Sequence, residues 1–84
     1  MNDTPIGFSS KELEMARFFV EREGHRFLEV IRLINFREEG ILDSLDIVSL
    51  AVFIERTFGK KLNLADLGVF NAMSKFDSLM KLVD

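Results

Sequence analysis

One stretch, from Gly40 to Gly59, constrains the fold of this 84-residue chain more than any other. Its apolar residues recur every three or four positions, which places them on one face of an α-helix. They are Ile47, Leu50, Ala51, Ile54 and Phe58. Asp43, Ser44 and Asp46 stand before this face, and all three residue types favour a helix start. The sequence therefore predicts an amphipathic helix that begins near Ser44 and is capped by Gly59.

The same helix carries a second, narrower apolar row, which we name the docking row. It consists of Leu45, Val48 and Val52. At about 100° per residue, this row lies well around the helix from the first face. A helix that packs on one face leaves such a row without a partner in its own chain. We expect the docking row to be exposed and to bind another protein.

The first half of the chain predicts one helix and a partly helical connection. Ser9 and Glu12 match a capping box, and a helix is predicted over residues 10–22. Its apolar positions are Leu13, Ala16, Phe19 and Val20. Gly24 interrupts the pattern. Residues 25–36 again show helical spacing, so we expect a helical segment within the connection.

The last third of the chain gives weaker signals. Asn63 is expected to cap a short turn that runs through Asp66 and ends at Gly68. A final helix is predicted to start within residues 71–74 and to run to about Val83. Its expected buried face contains Phe76, Leu79, Met80 and Val83. Asn71 or Ser74 is the expected cap, and Asp77 stands three residues after Ser74.

Four helix-like segments without period-two alternation predict an all-α fold, a small antiparallel four-helix bundle. The length allows one domain, which we place at residues 9–84 behind a flexible lead-in at residues 1–8. The predicted core contains Leu13, Ala16, Val20, Ile47, Leu50, Ile54, Phe58, Phe70, Phe76, Leu79 and Val83.

Composition argues against several classes of function. The chain has no cysteine, which excludes disulfides and thiolate metal sites. Its net charge is −3, and its arginines alternate with glutamates, so no nucleic-acid-binding face is predicted. The longest apolar run, Leu50–Ile54, is too short to span a membrane, and the first residues lack the features of a signal peptide. We expect a cytoplasmic monomer.

Enzymatic activity is not expected. His25 is the only histidine, and nothing in its spacing from a serine indicates a nucleophile–base pair. No metal ligands and no catalytic residues are identified. A domain of this size is also expected to have little room for a substrate pocket.

Residues 40–48 have the sequence Gly-Ile-Leu-Asp-Ser-Leu-Asp-Ile-Val, and residues 53–59 continue Phe-Ile-Glu-Arg-Thr-Phe-Gly. This run resembles the acyl carrier protein family, most strongly over residues 36–59 and poorly before residue 34. In that family the serine of the Asp-Ser-Leu motif carries phosphopantetheine and opens the second helix of a small bundle with a long first connection. The resemblance implies that Ser44 is the attachment site and that phosphopantetheine, taken from coenzyme A, is the cofactor.

The resemblance also implies the function and the partners. An acyl carrier protein holds an acyl or aminoacyl group as a thioester for fatty acid or polyketide biosynthesis and performs no chemistry itself. The implied partners are a phosphopantetheinyl transferase, a loading ligase and pathway enzymes. The expected recognition residues are Asp43, Leu45, Asp46, Val48, Val52 and Glu55. Arg56 and Thr57 stand where the family usually has acids, which favours a dedicated pathway.

Charge at the start of the helix has two opposing effects. A phosphodiester on Ser44 would lie beside a helix N-terminus, which stabilises an anion by about 0.3–1 kcal/mol. Asp43 and Asp46 would repel it. We therefore interpret these two acids as groups that a modifying enzyme, or its metal, recognises.

Four alternatives stay open at this point. Ser44 is alternatively an ordinary N-cap residue with no further role, which the motif around it makes the lesser interpretation. The cargo is alternatively D-alanine or another aminoacyl group. The docking row alternatively makes the chain a non-covalent helical adaptor. A small hydrolase that uses Ser44 has the least support, because no base and no oxyanion site are apparent.

Overall fold

The computed structural model describes residues 7–84, and within them every regular element is helical, with no strand. The described elements are α1 at Ser10–Glu23, a 3₁₀ helix at His25–Glu29, α2 at Ser44–Phe58, α3 at Leu67–Ala72 and α4 at Phe76–Lys81. The predicted all-α class is confirmed for this part of the chain. No helix within it is long and apolar enough to cross a membrane.

Helix α1 begins and ends where local signals indicated. The Glu12 backbone N–H donates to Ser9 Oγ at 3.1 Å, and the Ser9 N–H donates to Glu12 Oε1 at 2.8 Å. This reciprocal capping box satisfies two backbone donors that the helix itself leaves free. Gly24 ends the helix with φ of +98°, a conformation that residues with a side chain rarely adopt.

The connection from α1 to α2 contains the expected helical segment, but as a 3₁₀ helix of five residues. Four apolar side chains of the whole connection are buried, namely Phe27, Ile31, Phe36 and Leu42. Phe36 and Phe19 of α1 have ring centroids 4.4 Å apart, at the short limit of favourable aromatic pairs. The connection is therefore part of the core.

The predicted lead-in at residues 1–8 is partly outside the described residues, which start at Gly7. Gly7 and Phe8 lie against the domain. The Gly7 carbonyl accepts from Arg32 Nη2 at 2.7 Å, and the Arg32 guanidinium stacks 4.1 Å from the centre of the Phe8 ring. Phe8 also meets Phe76 edge-on at 6.1 Å. The predicted domain boundary at residue 9 therefore leaves out Gly7 and Phe8, although both residues pack on the domain.

The C-terminal third differs most from its prediction. The turn at Asn63 forms, because the Asn63 side chain accepts from the Ala65 N–H at 3.1 Å. However, Gly68 does not end an element. Asp66 accepts from the Gly68 and Val69 N–H groups and caps α3, a helix that the sequence did not predict.

The final helix also starts later than predicted. Its N-cap is Lys75, whose side chain makes no capping hydrogen bond, so neither Asn71 nor Ser74 has that role. The predicted Ser74–Asp77 box is wrong because Ser74 is buried and its carbonyl accepts from the Phe36 N–H at 2.7 Å. A tertiary contact thus replaces the local signal.

The core is larger and more aromatic than predicted. Its buried members are Met15, Ala16, Phe19, Phe27, Ile31, Phe36, Leu42, Ile47, Leu50, Ile54, Met73, Phe76, Leu79 and Val83. Four predicted core residues, Leu13, Val20, Phe58 and Phe70, are only half-buried. On α1 the buried face centres on Met15 and Phe19, because Leu13 and Val20 border a groove beside the 3₁₀ helix.

Candidate functional site

Ser44 is the first residue of α2, and Asp43 is its N-cap. The Asp46 N–H donates to Asp43 Oδ1 at 2.8 Å, and the Asp43 N–H donates to Asp46 Oδ2 at 3.0 Å. These two acids form a second capping box. Ser44 is exposed, and its hydroxyl has no hydrogen-bond partner within residues 7–84. The interpretation of Ser44 as an ordinary N-cap is therefore wrong, since Asp43 has that role.

Asp46 is also tied to α1. Arg22 Nη2 donates to Asp46 Oδ1, which joins the last turn of α1 to the first turn of α2. The backbone hydrogen bond from Asp43 and then the Arg22 guanidinium lower the pKa of the Asp46 carboxyl. Both acids have a structural role at the start of α2, which recognition by an enzyme alone does not explain.

The backbone before Ser44 is fixed to the far end of the chain. Phe36 is fully buried, and its N–H donates to the Ser74 carbonyl. Its own carbonyl accepts from the Ile41 and Leu42 N–H groups at 2.8 and 3.0 Å. These bonds close the loop at residues 36–42 onto the turn between α3 and α4. Residues distant in sequence are thereby brought beside Ser44.

An open cleft of about 760 Å³ lies between this loop, the start of α2 and the α3–α4 turn. Its lining includes Ser44 together with Asn35, Arg37, Glu38, Gly40, Leu42, Asp43, Asn71, Ser74, Lys75 and Ser78. Such a volume lies within the range of small-ligand sites, about 300–1,000 Å³. The expectation of little room for a pocket is therefore wrong for the surface beside Ser44.

Two cations line this cleft. The Arg37 guanidinium lies 4.7 Å from the centre of the Phe70 ring, a contact that holds it at the cleft wall. Lys75 lies at the start of α4. Neither cation forms an ion pair with any residue in the described part of the chain. Two carboxylates, Glu38 and Asp43, line the same cleft, so the formal charges of its lining balance.

The docking row is exposed along α2. Leu45 is 78% exposed, Val48 51% and Val52 44%, whereas Ile47, Leu50 and Ile54 are fully buried on the opposite face. Glu55, the remaining predicted recognition residue, is exposed further along the helix. The predicted exposure of the docking row is confirmed, and its binding to a partner stays a prediction.

His25 does not line the cleft at Ser44. It borders a separate groove with Leu13, Val20 and Leu28, on the side of α1 that faces the 3₁₀ helix. No group of three or more acidic, histidine or cysteine side chains is placed for a metal ion within residues 7–84. The structure thus brings no histidine base into the cleft with Ser44.

Sequence reasoning missed the far wall of the cleft. Arg37, Lys75 and Ser78 carry no local motif, and Ser74 was expected only as a helix cap. They line one cleft with Ser44, and the bond from the Phe36 N–H to the Ser74 carbonyl joins the two sides. Ser78 Oγ in turn donates to the Ala72 carbonyl at 2.7 Å, which closes the turn before α4. Ser74, Lys75 and Ser78 share only their position around Phe76, and Arg37 lies in a different segment, so no common sequence signal predicts this wall.

Comparisons of the chain with protein-family models, with curated proteins and with solved structures found no match.

Proposed function

We propose that this protein is a carrier domain that holds an acyl or aminoacyl group on a phosphopantetheine arm attached to Ser44. The observation that carries the proposal is the free, exposed hydroxyl of Ser44 at the first position of α2, on the rim of an open cleft. A hydroxyl needed for capping would be engaged. Here Asp43 makes the cap, which leaves Ser44 available for modification.

Attachment is a substitution at phosphorus. Ser44 Oγ forms the new phosphoester bond, its proton passes to the transferase or to solvent, and the nucleotide part of coenzyme A leaves. The product phosphodiester is an anion beside the N-terminus of a 15-residue helix, where it is stabilised by about 0.3–1 kcal/mol. Of the charged side chains that line the cleft, Arg37 and Lys75 attract this anion, whereas Glu38 and Asp43 repel it.

Further parts of the proposal follow from the resemblance of residues 36–59 to acyl carrier proteins. They are an antiparallel four-helix bundle of the acyl-carrier type, a cytoplasmic monomer, and partners that comprise a transferase, a loading ligase and enzymes of a dedicated pathway. The exposed docking row lies on the same helix as Ser44. A partner that grips this row would hold the arm near its own active site.

The test is conversion by a promiscuous phosphopantetheinyl transferase with coenzyme A, followed by intact mass. Wild-type protein is expected to gain one phosphopantetheine-sized increment, and Ser44→Ala is expected to gain none. Ser49→Ala is the matched control, because Ser49 is also exposed on α2 but lies outside the cleft. Labelling of Ser44→Ala, or no labelling of wild type, would overturn the assignment.

A second candidate is a non-covalent adaptor, favoured by the exposure of three apolar side chains in the docking row. Val48→Asp separates the two functions. It is expected to leave the fold intact, because Val48 is exposed, and to slow modification of Ser44. If the protein is an adaptor, neither wild type nor Val48→Asp would gain mass, and Val48→Asp would only bind its partner more weakly.

A further inference from the structure

The docking row has the spacing of a helix–helix contact. Leu45, Val48 and Val52 follow one another at three and four positions, as do the apolar residues by which one helix packs against another. The row extends over about two turns, or about 10 Å, and its side chains are between 44% and 78% exposed. A row of this kind fits the apolar stripe of another amphipathic helix.

The acids at the start of α2 are already committed within the domain. Asp43 accepts from the Asp46 N–H, and the Asp46 carboxylate forms an ion pair with Arg22 of α1. The partial positive charge of the helix N-terminus also offsets the charge of Asp43. The N-terminal end of the docking row therefore presents little uncompensated charge to a partner.

The bases at the other end of α2 are not committed in this way. Arg56 lies in the last turn, and Lys60 and Lys61 follow the end of the helix. All three are exposed, and none forms an ion pair within residues 7–84. Glu55 is the one acid among residues 53–61, so bases outnumber acids there by three to one.

Helix stability does not explain all three bases. A cation in the last turn offsets the partial negative charge of a helix C-terminus, and Arg56 is placed to do so. The effect falls off within the last turn, whereas Lys60 and Lys61 lie beyond the Gly59 cap. These two lysines therefore leave uncompensated positive charge at the end of the helix that carries the docking row.

We propose that the docking row binds an amphipathic helix of another protein, and that this helix carries acidic residues at the end that meets Arg56, Lys60 and Lys61. The inference rests on the proposed function, in which a partner grips this row, and it specifies the charge of that partner. A second copy packed antiparallel would offer its own Asp43 and Asp46, which are already committed. Nucleic acid and anionic membranes suit the row less, because the chain as a whole has a net charge of −3.

The test uses two stapled helical peptides as probes and the full, unmodified chain. Both peptides have about 18 residues, or about 27 Å, and the same leucine stripe. One has three glutamates in its first turn where the other has three glutamines. Amide chemical shifts of α2 report the dissociation constant of each peptide. Lys60→Gln with Lys61→Gln is the test variant, and Lys75→Gln with Lys81→Gln is the matched control, because it removes two exposed lysines elsewhere.

Wild type is expected to bind the glutamate peptide about three- to tenfold more tightly than the glutamine peptide, as expected for several partly exposed ion pairs. This preference opposes the net charge of the chain, so it reports the local bases. The test variant should lower the ratio of the two dissociation constants toward one, and the control should retain it. Arg56→Gln should give a smaller loss, and high salt should lower the ratio in wild type. Val48→Ser should weaken the binding of both peptides.

Four results overturn the inference. The first is equal binding, or no binding, of the two peptides by wild type. The second is the same ratio in the test variant and the control. The third is unchanged binding by Val48→Ser, which would place the peptides elsewhere. The fourth is that wild type sediments as a dimer or binds phosphatidylserine vesicles, and that Val48→Ser abolishes either, which would assign the row to a second copy or a membrane.

These failures differ from failure of the proposed function. The peptide experiment uses unmodified protein, so its outcome does not depend on attachment at Ser44. If the proposed function fails, wild type gains no phosphopantetheine increment, whatever its preference between the two peptides.

Discussion

Helix α2 has fifteen residues, a capping box at its start and a glycine at φ of +72° at its end, whereas α3 and α4 have six residues each. Isolated helices shorter than about 12–15 residues are marginal in water, so α3 and α4 depend on packing. Lys75 gives α4 no side-chain cap. Helix α2 thus presents Ser44 from a locally specified element, while the opposite wall of the cleft is held by tertiary contacts.

Truncation of core leucines in α2 and α4 is expected to change the unfolding free energy more than any other substitution considered for these helices. Leu50 of α2 and Leu79 of α4 are both fully buried, so each change to alanine is expected to cost about 2–5 kcal/mol in unfolding free energy. Amide hydrogen exchange should distinguish the two variants by which helix loses protection. Leu79→Ala should leave the α2 amides more protected than those of α4, whereas Leu50→Ala should lower protection in both helices.

Leu45→Ala is the control for this experiment, because Leu45 is exposed on α2 and its loss is expected to change stability by less than about 0.5 kcal/mol. If Leu79→Ala and Leu50→Ala lower amide protection equally in both helices, α2 is no more locally stable than α4.

The same contrast explains how far the sequence predicts the structure. The Ser9–Glu12 box, the Gly59 cap and the burial of Ile47, Leu50 and Ile54 depend on residues three or four positions apart, and these predictions are confirmed. Ala51 and Phe58, predicted on the same face of α2, are half-buried. The Ser74 cap was wrong because the Phe36 N–H, 38 positions away, bonds to the Ser74 carbonyl. Nothing local to Ser74 signals that bond.

The candidate site divides in the same way. Ser44 was found from its motif and from the start of a periodic helix. Arg37 and Lys75 were not, because their proximity to Ser44 depends on the closure of the loop at residues 36–42. The near wall of the cleft is therefore predictable from sequence, and the far wall needs the tertiary structure.

Removal of the α2 cap is the next largest expected effect. Asp43→Ala is expected to cost about 0.5–2 kcal/mol, the usual range for the loss of an N-cap side chain. Ser44→Ala should cost less than about 0.5 kcal/mol, because its hydroxyl bonds to nothing within residues 7–84 and the residue is exposed. Urea unfolding measures both. An equal loss of unfolding free energy in Asp43→Ala and Ser44→Ala would indicate that the Ser44 side chain also caps α2.

Providing α4 with a cap should give a smaller gain. Lys75 has extended backbone angles, φ −134° and ψ 146°, which suit an N-cap residue. Lys75→Ser is therefore expected to stabilise the domain by about 0.5–1 kcal/mol in urea unfolding. Lys81→Ser is the control and should give no such gain, because Lys81 is not the N-cap of α4. A Lys75→Ser protein no more stable than wild type would show that packing alone positions α4.

The smallest effect concerns the pH dependence of the α1–α2 junction. The Asp43 N–H and the Arg22 guanidinium lower the pKa of Asp46 in the folded protein below its ordinary value of 3.8. The folded state therefore binds a proton at Asp46 more weakly than the unfolded state. The stability that Asp46 contributes is present above the unfolded pKa and is lost as the pH falls through the folded pKa.

Wild type should consequently lose more stability than Asp46→Asn between about pH 5 and pH 3, measured by urea unfolding at each pH. The asparagine variant keeps a side-chain oxygen for the Asp43 N–H but has no group to titrate there. Other carboxylates titrate in both proteins, so the difference between the two isolates Asp46. Parallel pH profiles would show that neither the Asp43 N–H nor the Arg22 guanidinium lowers the pKa of Asp46 in the folded protein.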